Sequence, residues 1–278
     1  MTYYDLPLLK PPVWTWEVPT YFFVGGAAGA AAVLAAAARL AGGDEALVRD
    51  ARWIAAAGAA LSAPLLIADL GRPERFLNML RVFKPQSPMS VGAWTVAAFG
   101  GASSSAALAE VVRRNTNLPV RTAGDLAGVM SAATGLVMAT YTGVLLGATA
   151  NPVWKEHVRL LPVHFGASAL GSAVSLLELR GHRHRALQAL AFGAAIFETA
   201  AAVALETGTD RVSAPLRVGR SGTLTRLGAL LSGPIPLFMR LMGSRRGAAT
   251  ATLAGSLLTR FAWVEAGKVS AKDVNVAL

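Results

Sequence analysis

The chain has 278 residues, 54% of them apolar and only 15% charged, with a mean hydropathy of +0.47. An ordinary soluble domain is about a quarter charged, so this composition excludes disorder and most water-soluble folds and points to lipid as the solvent. The absence of cysteine excludes disulfides, thiolate chemistry and iron–sulfur clusters ligated by this chain. Its net charge of +10 lies in short gaps between apolar runs, where it fits anionic headgroups and topology signals better than nucleic acid.

In chain order, Val18 to Ala38, Pro85 to Ala109 and Leu126 to Trp154 carry no charge over 21, 25 and 29 residues. Each is long enough to cross roughly 30 Å of hydrocarbon as a helix. The stretch from Trp53 ends at Asp69, Leu160 to Leu177 contains one His, and Ala186 to Leu205 contains one Glu. The last two candidates are interrupted by Arg226, Arg240 and Arg260, and Pro234 and Pro236 break the first of them.

The pattern predicts an all-α, polytopic integral membrane protein, a single domain over 1–278. Its eight transmembrane helices fall at about 18–40, 52–69, 88–110, 125–150, 160–178, 186–206, 223–242 and 247–264. Both termini then share one face, side A, opposite side B. The N-terminus carries Asp5 and several prolines rather than a basic n-region, so the first helix is expected to be retained. Basic residues divide evenly between the faces but crowd the shorter side B loops, which predicts side B in the cytoplasm and both termini outside. The runs from Gly25 to Gly29 and from Gly143 to Gly147 fit close helix packing.

Polar groups on five helices converge near side A: Glu17 and Tyr21, Asp69, Trp94, Tyr141 and His164. They are the hydrogen-bond donors and acids that a quinone needs at its carbonyls. Competing readings exist for most of them. Tyr21, Trp94 and Trp154 suit an interfacial aromatic belt, His164 a helix–helix hydrogen bond, and Asp69 an ion pair with Arg72 or Arg75. Glu198 is the deepest charge, and an ionisable group there needs a partner or a proton. Glu206 lies eight residues on, and the two together suggest a proton path. A haem held by two axial ligands is not expected, because His164 is the single intramembrane His; His182 and His184 read as a solvated basic loop.

The loop after the second helix carries a specific pattern. Ala68 to Phe76 reads ADLGRPERF and is followed by Asn78, by Phe83-Lys84-Pro85 and by SPMSVGAW from Ser87 to Trp94. With PTYFFVGGAAG, YTGVLLGATANPVW and LPVHFGASAL in the first, fourth and fifth helices, this resembles the NrfD/polysulfide reductase membrane-subunit family. The resemblance is closest over residues 14 to 180.

It implies an eight-helix protein of two four-helix bundles that binds a quinone (menaquinone or ubiquinone) non-covalently and holds no haem or iron–sulfur cluster. An iron–sulfur, ferredoxin-like subunit would link it to a molybdopterin catalytic subunit at the cell inner (cytoplasmic) membrane, with Tyr141 and the Glu17–Tyr21 region at the quinone. Arg72, Arg75, Arg81 and Lys84 form a basic surface suited to an acidic partner of this kind or to lipid headgroups. The alternative function is a proton-coupled membrane transporter, since Glu198 and the broken helix at Gly233-Pro234-Ile235-Pro236 are features transporters also use.

Overall fold

A computed structural model describes residues 9–70, 72, 74, 76–116 and 119–273. The described residues are helical, with no strand: α1 Glu17–Leu40, α2 Glu45–Ala68, α3 Phe76–Met79, α4 Pro88–Asn115, α5 Arg121–Gly147, α6 Pro152–Glu156, α7 Leu160–Leu179, α8 Arg185–Thr207, α9 Gly219–Ser232, α10 Pro234–Leu241 and α11 Arg245–Lys272. Six of them, α1, α2, α4, α5, α7 and α8, are long and apolar enough to cross a membrane.

Contacts divide the long helices into two groups. α1, α2, α4 and α5 pack on one another; α7, α8, α11 and the α9–α10 pair form the second group, joined to the first through α1, α5 and α7. Small residues permit the closest approaches. A Cβ on Gly29 of α1 would lie 2.3 Å from the Gly135 carbonyl oxygen of α5, and one on Gly143 would lie 2.5 Å from the Leu161 carbonyl oxygen. Both Gly-spaced runs thus mark helix contacts where backbone meets backbone.

Several boundaries differ from the sequence expectation. α2 begins at Glu45 rather than near 52, because Asp44 caps it by accepting the Ala46 N–H at 2.9 Å and its charged first turns are paired. Asp50 accepts from Arg49 and His182, and Arg52 reaches Glu110. As the two prolines imply, the stretch expected as the seventh helix is two segments, α9 and α10, separated at Gly233, whose backbone (φ −109°, ψ −97°) leaves the helical region ahead of Pro234 and Pro236. α11 continues to Lys272, two turns beyond the expected end.

Trp154 is buried rather than a belt aromatic. Its ring stacks on Trp14 at 5.4 Å, and its Nε1–H donates to the Trp263 carbonyl at 2.8 Å.

Candidate functional site

The residues singled out in the sequence fall in two regions, one half-buried in the first helix group and one buried in the second. The first lies at the side A end of α1 and α2. Thr15 precedes α1; its hydroxyl donates to Glu17, and its N–H donates to Asp69 Oδ1 at 3.4 Å. Asp69 closes α2. Burial lifts the Asp69 carboxyl above the ordinary aspartate range, the Thr15 N–H only partly offsets this, and the like charge of Glu17 adds to it. The cation of Lys268 on α11 opposes the rise. No ion pair joins Asp69 to Arg72 among the described residues.

One helical turn below Glu17, the Tyr21 ring is buried against Phe22. Gly25 leaves room where Met138 of α5, Ser62 of α2 and Tyr21 meet. The Tyr141 ring lies over Gly92 of α4, whose missing Cβ would sit 3.2 Å from the phenol oxygen. That hydroxyl is buried and makes no hydrogen bond of normal geometry among the described residues, with the Gly92 backbone lying close beside it. A buried polar atom left unpaired costs about 1–3 kcal/mol, so the group is suited to a ligand oxygen.

Trp94 is placed elsewhere: it turns outward and meets Phe83 edge-on at 6.2 Å. Arg72, Arg81 and Lys84 are exposed on the same connecting segment, and Arg75 lies outside the described residues.

The second region lies deeper, in α7, α8, α9 and α11. His164 Nε2 is 3.0 Å from Glu198 Oε2, which also accepts the Ser232 hydroxyl at 3.0 Å. The structure thus places His164 against Glu198, and the charge at mid-helix has the partner it needs. His164 Nδ1 and Glu198 Oε1 have no hydrogen-bond partner among the described residues. A cavity of about 20 Å³ adjoins them, lined also by Thr225, Thr259 and Trp263, which is room for about one water.

Arg260 lies nearby, its guanidinium 3.7 Å over the Phe165 ring and one Nη donating to the Phe165 carbonyl at 2.9 Å. From this point a polar face continues along α7. The Ser168 and Ser256 hydroxyls are 2.7 Å apart, Ser172 donates to the Ser168 carbonyl, and Ser175 is buried. At the side B end Glu178 accepts two hydrogen bonds of 2.7 Å from Arg240. Glu206 is not in this chain of contacts; it is held by Arg226 and lines an open groove.

Sequence reasoning missed the partners of these groups. Arg240 and Arg226 were read as interruptions yet each neutralises an acid, and Arg260 stacks on Phe165. His182, expected in a solvated loop, is tied to Asp50 at 3.1 Å. Among the described residues no three His, Cys, Asp or Glu side chains form a metal-binding group.

No curated protein sequence matches the chain significantly. A family profile described as polysulfide reductase, of the NrfD type, matches residues 1–274, nearly the whole chain. With its apolar helices and the loop motif between α2 and α4, the chain belongs to the NrfD/polysulfide reductase family, membrane subunits of oxidoreductase complexes.

Proposed function

We propose that this chain is the quinone-binding membrane-anchor subunit of a multi-subunit respiratory oxidoreductase. It exchanges electrons between the quinone pool and an iron–sulfur, ferredoxin-like subunit of a molybdopterin enzyme. The chain is one membrane domain of eight passes, with α9–α10 as a broken pass, in the cell inner (cytoplasmic) membrane with both termini outside. Arg72, Arg75, Arg81 and Lys84 receive the iron–sulfur subunit on side A, where opposite charge steers docking.

The observation that carries this reading is the buried Tyr141 hydroxyl, which makes no hydrogen bond of normal geometry among the described residues. A bound quinone supplies two-electron, two-proton chemistry. Tyr141 donates a hydrogen bond to a quinone oxygen. Asp69 and Glu17 relay protons between the quinone and the side A surface. Trp94 and Phe83 border the approach from lipid. The His164–Glu198 pair exchanges protons deeper in the bundle, with Glu206 at its side A end.

The test is Tyr141→Phe, which keeps the ring and removes the hydroxyl. Quinone-linked turnover of the assembled complex is expected to fall roughly 5- to 150-fold, the worth of one buried hydrogen bond to a ligand. Turnover of the soluble subunits with an artificial acceptor stays unchanged. Unaltered quinone kinetics would assign Tyr141 to packing.

A proton-coupled transporter is the second reading, favoured by the helix break at Gly233 beside Glu198. It requires solute flux in liposomes containing this chain alone.

A further inference from the structure

A groove of about 390 Å³ separates α8 from α9, and its walls are Ala202, Val203, Leu205, Ala229, Leu230 and Pro234. Only apolar chains are stable against such walls inside a bilayer. At one end, near the side A terminus of α8, stand Glu206 and Arg226, whose side chains are 47% and 56% exposed. At its inner wall the groove shares Ala202, Leu205, Thr225 and Ala229 with the small cavity beside His164 and Glu198. That inner cavity holds about 20 Å³, too little for a ring-sized headgroup. An occupant therefore keeps its polar head at Glu206–Arg226 and directs only its chain inward.

The two charges state what kind of head that is. Arg226 uses Nε and one Nη on Glu206, leaving further guanidinium N–H groups free to donate outward. Glu206 accepts one bond on each oxygen and retains lone pairs. A phosphate matches the first group and a primary ammonium the second. We infer that the α8–α9 groove binds one phospholipid with a zwitterionic, primary-ammonium headgroup of the phosphatidylethanolamine type, phosphate on Arg226, ammonium on Glu206 and an acyl chain in the groove. This lipid closes the bilayer side of the His164–Glu198 cavity. The lipid site needs no contact with Tyr141 or Asp69; it shares only Glu206 with the proposed proton path, and lipid retention is read without quinone turnover.

The experiment is native mass spectrometry of the full-length protein in mild detergent, titrated in turn with phosphatidylethanolamine, phosphatidylglycerol and phosphatidylcholine. The protein should retain one phosphatidylethanolamine roughly tenfold more strongly than either other lipid, since each of those lacks an ammonium that can donate to Glu206. Glu206→Gln removes the acceptor charge and leaves Arg226, so the preference should move to phosphatidylglycerol. Val203→Trp fills the groove from its open side and should reduce retention of every lipid. An order of preference unchanged in Glu206→Gln, full retention in Val203→Trp, or a retained species with the mass of a quinone would each overturn the assignment.

Discussion

Gly92→Ala tests the geometry at Tyr141 without touching its chemistry. The added Cβ would lie 2.8 Å from Tyr141 Cε1, so the ring must shift by about 0.7 Å to regain a normal carbon–carbon separation. The ring is free to slide, because its hydroxyl holds no hydrogen bond of normal geometry among the described residues. The displacement is therefore cheap for the fold: about 1 kcal/mol of overpacking set against a helix-propensity gain of about 0.8–1 kcal/mol. It is costly for the ligand, since misplacing a binding group by about 1 Å can cost about 10²-fold.

The expected result is thermal stability close to that of the parent protein and quinone-linked turnover reduced roughly 10- to 100-fold. Both are measured on the assembled complex, with an artificial acceptor as control for the soluble subunits. Combined with Tyr141→Phe the two losses should not add, because both act through one hydroxyl. Full quinone kinetics in Gly92→Ala, or additive losses in the double variant, would refute a role for the Tyr141 oxygen.

Three further outcomes follow from the second region and its surroundings. Glu198→Gln retains shape and hydrogen bonding but cannot exchange a proton; proton uptake coupled to quinone turnover in proteoliposomes should slow while assembly is normal, and normal coupling would leave Glu198 a packing role. Glu178→Gln leaves the buried Arg240 charge without its counter-ion and should cost about 3–5 kcal/mol in detergent unfolding, with Glu178→Leu/Arg240→Leu recovering most of it; a loss below about 1 kcal/mol would contradict the pairing. Burial against Trp263 pushes the His157 imidazole below the ordinary histidine range, so below about pH 6.5 the unfolded chain binds more protons than the folded one. Stability should therefore fall as pH drops from 7 through that range, and His157→Gln should flatten the slope in melting curves taken between about pH 5 and 8.

The first six long helices were legible because an unbroken apolar run is a local property of the sequence. The break at Gly233 was legible for a similar reason: two prolines within three residues cannot both continue a helix. Glu198 stood out as the single acid in its run. Its partners did not, because His164 and Ser232 are each 34 residues away and side chains meeting across helices leave no spacing pattern. The same limit hid Arg52 between Glu110 and Asp125, whose charges made the start of α2 look like a loop. Depth alone grouped His164 with Tyr141; that His164 bonds Glu198 depends on helix rotation, which spacing does not reveal. The loop motif and Tyr141 were legible through resemblance, whereas the vacancy at Gly92 that positions the Tyr141 ring needed the packed structure.

The discontinuity at Gly233 also bears on how the chain enters the membrane. At 1.5 Å per residue, the 14 residues of α9 and the 8 of α10 reach about 21 and 12 Å, so neither traverses a leaflet pair alone. Arg260 in the middle of α11 opposes partition from the translocon by about 2.5–3.5 kcal/mol, and Arg226 and Arg240, nearer the membrane faces, by less. Their compensating groups are Glu206, Glu178 and the Phe165 carbonyl, all on segments synthesised earlier. Integration of α9 and α10 thus depends on α7 and α8 already being in place. Replacing both Glu178 and Glu206 by Ala should leave α9–α10 accessible to water-soluble labels in the nascent chain, whereas the same segment in the parent protein is protected.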